Sequence, residues 1–131
     1  MATALTNGGR ALVTSRMRGS GTEPVYMGWG TGAGTTAATD TSLFTERAAD
    51  LAATSGTRTT GTSSQQTTSV SNDTYQVSGT IVSTGSGSVT NAGLFDNAAI
   101  GSGNLFMKGD FSGIPLSPND SIALTMRVQF T

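Results

Sequence analysis

In the last third of the chain, apolar and polar positions alternate with a period of two, the spacing of a strand with one buried face. Ile122, Leu124, Met126, Val128 and Phe130 share one side, and Ala123, Thr125, Arg127 and Gln129 share the other. The turn Ser117-Pro118-Asn119-Asp120 introduces this run. The same alternation sets Leu105, Met107, Gly109 and Phe111 against Phe106, Lys108 and Asp110, after the turn Gly101-Ser102-Gly103-Asn104. It also sets Tyr75, Val77, Gly79 and Ile81 against Gln76, Ser78 and Thr80, with Thr84-Gly85-Ser86-Gly87 following at hairpin distance. Val89 to Phe95 supplies a further strand, and Val25, Met27 and Trp29 mark an earlier one after Pro24.

Four or five short strands separated by Gly, Ser and Asn turns predict an all-β protein, a β-sandwich of jelly-roll type. Its predicted core is Trp29, Tyr75, Val77, Ile81, Phe95, Met107, Phe111, Leu124, Met126, Val128 and Phe130. The C-terminal strand has the longest and cleanest alternation, so it is expected at the centre of its sheet.

Two stretches depart from this pattern. Gly9 to Met17, with Ala11, Leu12 and Arg16, suits a short amphipathic helix, although one of this length needs tertiary or partner contacts to persist. The expected organisation is therefore an N-terminal arm or short helix over 1–22 and a single β-sandwich domain over 23–131. Between Leu51 and Val70 there is no large apolar side chain. Residues 52–72 read either as a flexible arm or as polar edge strands of weakly specified register. Upstream, a Gly/Thr/Ala loop over 30–41 leads to the small apolar anchor Leu43-Phe44.

Composition sharpens the picture. Hydrophobic residues make up only 35% of the 131-residue chain, below the roughly 45–50% of ordinary domains. A core this sparse calls for additional buried surface, and self-association as a trimer or dimer supplies it. With 18 glycines, 16 serines and 23 threonines the chain resembles a disordered one, but a net charge of −1 removes the self-repulsion that keeps such chains open. β-branched threonine instead suits a pleated, half-buried surface.

The chain has no cysteine and no histidine. It therefore lacks disulfides, thiolate metal sites, the usual base of serine and cysteine hydrolases, and the commonest zinc ligand. Without histidine a serine nucleophile would need lysine as its base, and the single lysine, Lys108, lies within a strand pattern. Gly28-Trp29-Gly30-Thr31-Gly32-Ala33 matches the dinucleotide fingerprint formally, with Asp50 downstream, yet no crossover helix or βαβ alternation follows. Asp40, Glu46 and Asp50 match no metal loop and read as solvated charges or partners of Arg47. Lys108-Gly109-Asp110 sits inside a strand rather than on a loop tip, and the Asn72-Asp73-Thr74 sequon follows no secretion signal. Seven basic residues spread along the chain form no basic aromatic patch, so nucleic acid is not an expected partner. No run is long enough to span a bilayer. The expectation is a non-enzymatic protein with no cofactor, metal, membrane or small-molecule substrate, made soluble in a cytoplasm.

Several stretches resemble small virion proteins of tailed bacteriophages. They are Leu5-Thr6-Asn7-Gly8-Gly9-Arg10 with Leu12-Val13, Tyr26-Met27-Gly28-Trp29-Gly30-Thr31-Gly32, Asn72 to Thr80, and Ala92-Gly93-Leu94-Phe95-Asp96. The similarity spans most of the chain, and its motifs are structural rather than catalytic. It implies a β-sandwich, a virion location and no cofactor. Such proteins serve as capsid decoration (cement), head or tail-fibre components. Small size, near-neutral charge and the lack of a shaft-like repeat favour a decoration protein bound to the major capsid protein, with a tail, fibre or adaptor component as the alternative. Candidate interface residues are Arg10, Arg16, Arg18, Tyr26, Leu43, Phe44 and Arg58.

Overall fold

The alternating segments form strands, and the strands sort into two antiparallel sheets. The computed structural model describes all 131 residues. In chain order the elements are β1 (Thr3–Leu5), α1 (Asn7–Met17), β2 (Tyr26–Gly30), β3 (Glu46–Arg47), β4 (Thr59–Thr60), β5 (Thr62–Gln66), β6 (Thr74–Val82), β7 (Gly87–Phe95), β8 (Leu105–Leu116) and β9 (Ser121–Gln129). The larger sheet runs β1-β8-β7-β2-β3, with β4 also paired to β2, and the smaller runs β5-β6-β9. The pairs β1 with β8 and β2 with β7 lie side by side in the larger sheet, because β7 and β8 are themselves antiparallel neighbours there. The protein is an all-β sandwich with one short N-terminal helix.

The main core lies between the sheets. Met27, Trp29, Val89, Leu94 and Met107 of the larger sheet meet Val77, Ile81 and Met126 of the smaller one. Tyr75, Phe111, Leu124 and Val128 pack against this cluster while half-buried. Phe130, expected inside, is 49% exposed because it lies one residue beyond β9, where no opposing sheet covers it.

The strand β9 is an edge, not a centre. It pairs with β6 alone, over nine residues from Ser121↔Val82 to Gln129↔Thr74. Clean alternation reports one covered and one solvated face, and an edge strand satisfies that as well as a central one. The interior strand β7 reads differently: Asn91 to Phe95 are all buried, because both faces are covered. The second cover is the loop 31–45, which brings Leu43 against Phe95 and Leu105 in a small separate cluster on that sheet.

Residues 1–22 are not a detachable arm. β1 pairs with Met107–Gly109 of β8, and Leu12 of α1 belongs to the main core. Thr6 caps the helix, its buried hydroxyl accepting from Gly9 N at 2.9 Å and donating to the Leu105 carbonyl. Within 52–72, the open alternative resolves toward strands: β4 and β5 are short and polar, and β5 forms the second edge of the smaller sheet.

Candidate interaction surface

The helix α1 lies over β8 but does not fill the gap to the smaller sheet. A groove of about 490 Å³ remains between them, with Leu12, Val13 and Met17 on one wall, Tyr75 and Phe130 on the other, and Phe106 and Pro24 between. Met17 is 82% exposed, so with Phe130 it offers water an apolar lip. Tyr75 and Phe106 meet edge to face, their centroids 5.9 Å apart. The Tyr75 hydroxyl donates toward Glu23 Oε1 and the Pro24 carbonyl, each at 3.2 Å. Burial, followed by the Glu23 charge, pushes that phenol well above its ordinary range, so it stays a neutral donor.

Six of the seven residues proposed for an interface divide into two groups. Arg10, Arg16 and Arg18 are exposed along and just after α1, and Arg16 lines the groove. Tyr26, Leu43 and Phe44 gather instead on the outer face of the larger sheet. Leu43 is buried there, Tyr26 packs against the Leu43 cluster, and the Phe44 ring lies 3.1 Å from the Lys108 ammonium. Arg58 is internal, which corrects its assignment as a contact residue. Its side chain is 1% exposed and makes a two-pronged ion pair with Glu46 (Nε to Oε2 2.7 Å, Nη2 to Oε1 2.8 Å). Nη1 donates to the carbonyls of Asn97, Ala99 and Ser102, and the guanidinium stacks 3.4 Å from the Phe95 ring centroid.

Two of the three clustered carboxylates are thus engaged elsewhere than with Arg47. Glu46 holds Arg58, and Asp40 holds Lys108, whose Nζ is 2.9 Å from Asp40 Oδ2 and 3.0 Å from the Ser42 carbonyl. Lys108 is fully buried in this arrangement and serves to clamp the loop 31–45 onto β8. Asn91, also buried, binds both the N–H and the C=O of Phe44 at 3.0 Å. The fingerprint-like glycines belong to this packing: Gly28 and Gly30 lie in β2, and a Cβ on Gly30 would stand 2.3 Å from the Phe44 carbonyl oxygen.

No family model, curated protein or solved structure matches the chain.

Surface carboxylates organise the remaining loops and make stability acid-sensitive. Asp73 accepts from the backbone N–H groups of Thr68, Ser69 and Val70 at 2.8 to 3.0 Å, and from Gln129 Nε2 at 2.9 Å. These bonds, Val70 and Thr68 foremost, hold its carboxyl far below the ordinary 3.8. Asp40, Asp50 and Asp110 are lowered as well: Asp40 first by Lys108, Asp50 by the N–H groups of Ala53 and Ala52, and Asp110 by bonds from Thr36. A carboxyl with a depressed folded value contributes stability that is complete above 3.8 and is lost as pH falls through the folded value. Melting temperature should therefore hold from about pH 7 to about pH 4 and fall steeply below. Asp73→Asn should lower the plateau and flatten that acid limb, and an unchanged limb would remove Asp73 from the account.

Proposed function

We propose that this chain is a non-enzymatic structural protein of a tailed-bacteriophage virion, a capsid decoration protein that binds the major capsid protein lattice and copies of itself. It would be made in the host cytoplasm and carried on the particle surface. The observation that supports this most is where the virion-like stretches fall in the fold. Tyr26–Gly32 and Ala92–Asp96 lie side by side, in register from Tyr26↔Phe95 to Gly30↔Asn91. Leu5–Arg10 ends β1 and starts α1 against Leu105 and Phe106. Asn72–Thr80 forms the turn and the strand that carry the smaller sheet. The residues that carry the resemblance are frame residues, which supports the reading of a protein whose product is a shape and a set of contacts rather than a reaction.

A decoration protein binds a repeated lattice, where many modest interfaces of roughly 800 Å² per partner act together through avidity. The exposed Arg10, Arg16 and Arg18 beside the apolar groove, and the free strand edges, provide such contacts. The test is the copy number of this chain relative to the major capsid protein in purified particles. Hundreds of copies, on the order of one per lattice site, fit decoration. About three to a few dozen would overturn it in favour of a tail, fibre or adaptor component with ring symmetry, and absence from particles would overturn the virion reading itself.

A further inference from the structure

The strand β9 is the least guarded edge of the molecule. On the larger sheet the edges are short: β1 has three residues, and β3 and β4 have two each. The part of β8 beyond β1 carries Pro115, one of the devices that block edge pairing. On the smaller sheet β5 has five residues and no apolar side chain. By contrast, β9 runs nine residues in unbroken register with β6, without proline or bulge. Its one charge, Arg127, is drawn onto β6 by a 2.6 Å bond from Nε to Gln76 Oε1.

The backbone phase of β9 is fixed by the bonds at its two ends. Phe130 N donates to Asp73 O, and Ser83 N donates to Asp120 O. Even-numbered residues therefore turn their N–H and C=O toward β6. Ser121, Ala123, Thr125, Arg127 and Gln129 turn theirs to the open side, because these directions alternate along an antiparallel strand.

The geometry points to a second copy of this chain as the occupant, with β9 pairing antiparallel to its counterpart about a two-fold axis at Thr125. In that register Ser121 meets Gln129 of the other copy, Ala123 meets Arg127, and Thr125 meets Thr125. All five outward residues then exchange both backbone bonds. Ile122 faces Val128 and Leu124 faces Met126, so apolar side chains meet apolar ones on the core side. The two Arg127 charges stand opposite alanines rather than each other. Sliding the axis to Arg127 would set like charges face to face, and any other register leaves outward groups unpaired. The result is one continuous six-stranded sheet, β5-β6-β9 joined to its symmetry mate. This names the surface for the self-association in the reading above.

Sedimentation of the full chain tests it, the expected species being twice the 13.2 kDa chain mass. Thr125→Pro removes only an N–H on the open side, so the β6 ladder stays intact. It should weaken the dimer by about 30-fold, the loss of one hydrogen bond from each copy, while melting and circular dichroism stay as in the parent. A monomeric parent, or a folded Thr125→Pro chain that dimerises as tightly as the parent, would overturn the proposal. Should the proline disturb the fold, Thr125→Cys decides. The chain has no other cysteine, so a short bis-maleimide should link Thr125→Cys chains efficiently and Thr39→Cys chains poorly; equal or absent linking overturns the pairing. The solution dimer and the copy number in particles are separate readouts, so failure of one leaves the other standing.

Discussion

Glu46→Ala should cost about 3–5 kcal/mol of folding free energy, the loss expected when one partner of a buried ion pair is removed and the other stays behind. Arg58 has nowhere to take its charge. Its side chain is 1% exposed, and it is held between the Phe95 ring and the carbonyls of Asn97, Ala99 and Ser102. Those carbonyls keep its Nη1 hydrogen-bonded but carry no net countercharge. Arg58→Met should cost a similar amount, since it keeps much of the packing on Phe95 but orphans three carbonyls and a carboxylate that is only 11% exposed. The double variant Glu46→Leu with Arg58→Met should recover much of the loss, because apolar replacement removes the desolvation penalty together with the pair. Urea denaturation of the parent, Glu46→Leu, Arg58→Met and the double variant measures this as a double-mutant cycle. Additive effects would mean that the two groups do not depend on each other and that the 97–102 turn is held by other bonds.

The alternation of apolar residues makes the sandwich legible in the sequence. Val77, Ile81, Met107 and Met126 report a period of two, and all four are buried. What that period cannot convey is the neighbour. β9 alternates because one face is covered, and its place at the edge depends on where β5 and β6 settle, which no local pattern records. The loop 31–45 is illegible for a different reason. Its anchors are polar residues of strands far along the chain: Asn91 for Phe44, Lys108 for Asp40, and Asp110 for the Thr36 N–H. A single lysine within an apolar strand is the one local signal, since a buried ammonium requires a carboxylate partner. Arg58 is similarly disguised in a Thr-rich stretch that looks solvent-facing. The surface is partly legible: the arginines of α1 are exposed as expected. The apolar groove beside them arises from side chains contributed by six separate segments and has no local signature.

Gly9→Ala should destabilise the protein by about 2 kcal/mol or more, reversing the sign that helix propensity alone would give. In an exposed helix alanine is favoured over glycine by roughly 1 kcal/mol. At Gly9 a Cβ would stand 2.1 Å from the Phe106 carbonyl oxygen and 2.9 Å from both the Phe106 carbonyl carbon and Leu5 Cδ1. Backbone on β8 cannot yield as a flexible side chain would, so α1 must lift away from the sheet, at the cost of an overpacked core position. Lifting it also strains the bond from Gly9 N to Thr6 Oγ1 and draws Leu12 out of the core. The neighbouring Gly8→Ala is the control: its Cβ would lie 3.3 Å from the Leu105 carbonyl oxygen, so the propensity gain and the mild contact should nearly cancel. Thermal melts of the two variants separate the explanations. Equal stability of both would mean that α1 does not rest on β8, whereas a loss confined to Gly9→Ala ties the paired glycines after Asn7 to close docking rather than to a flexible turn. The exposed arginines and Met17 ride on that helix, so the same contact sets the position of the groove wall they form.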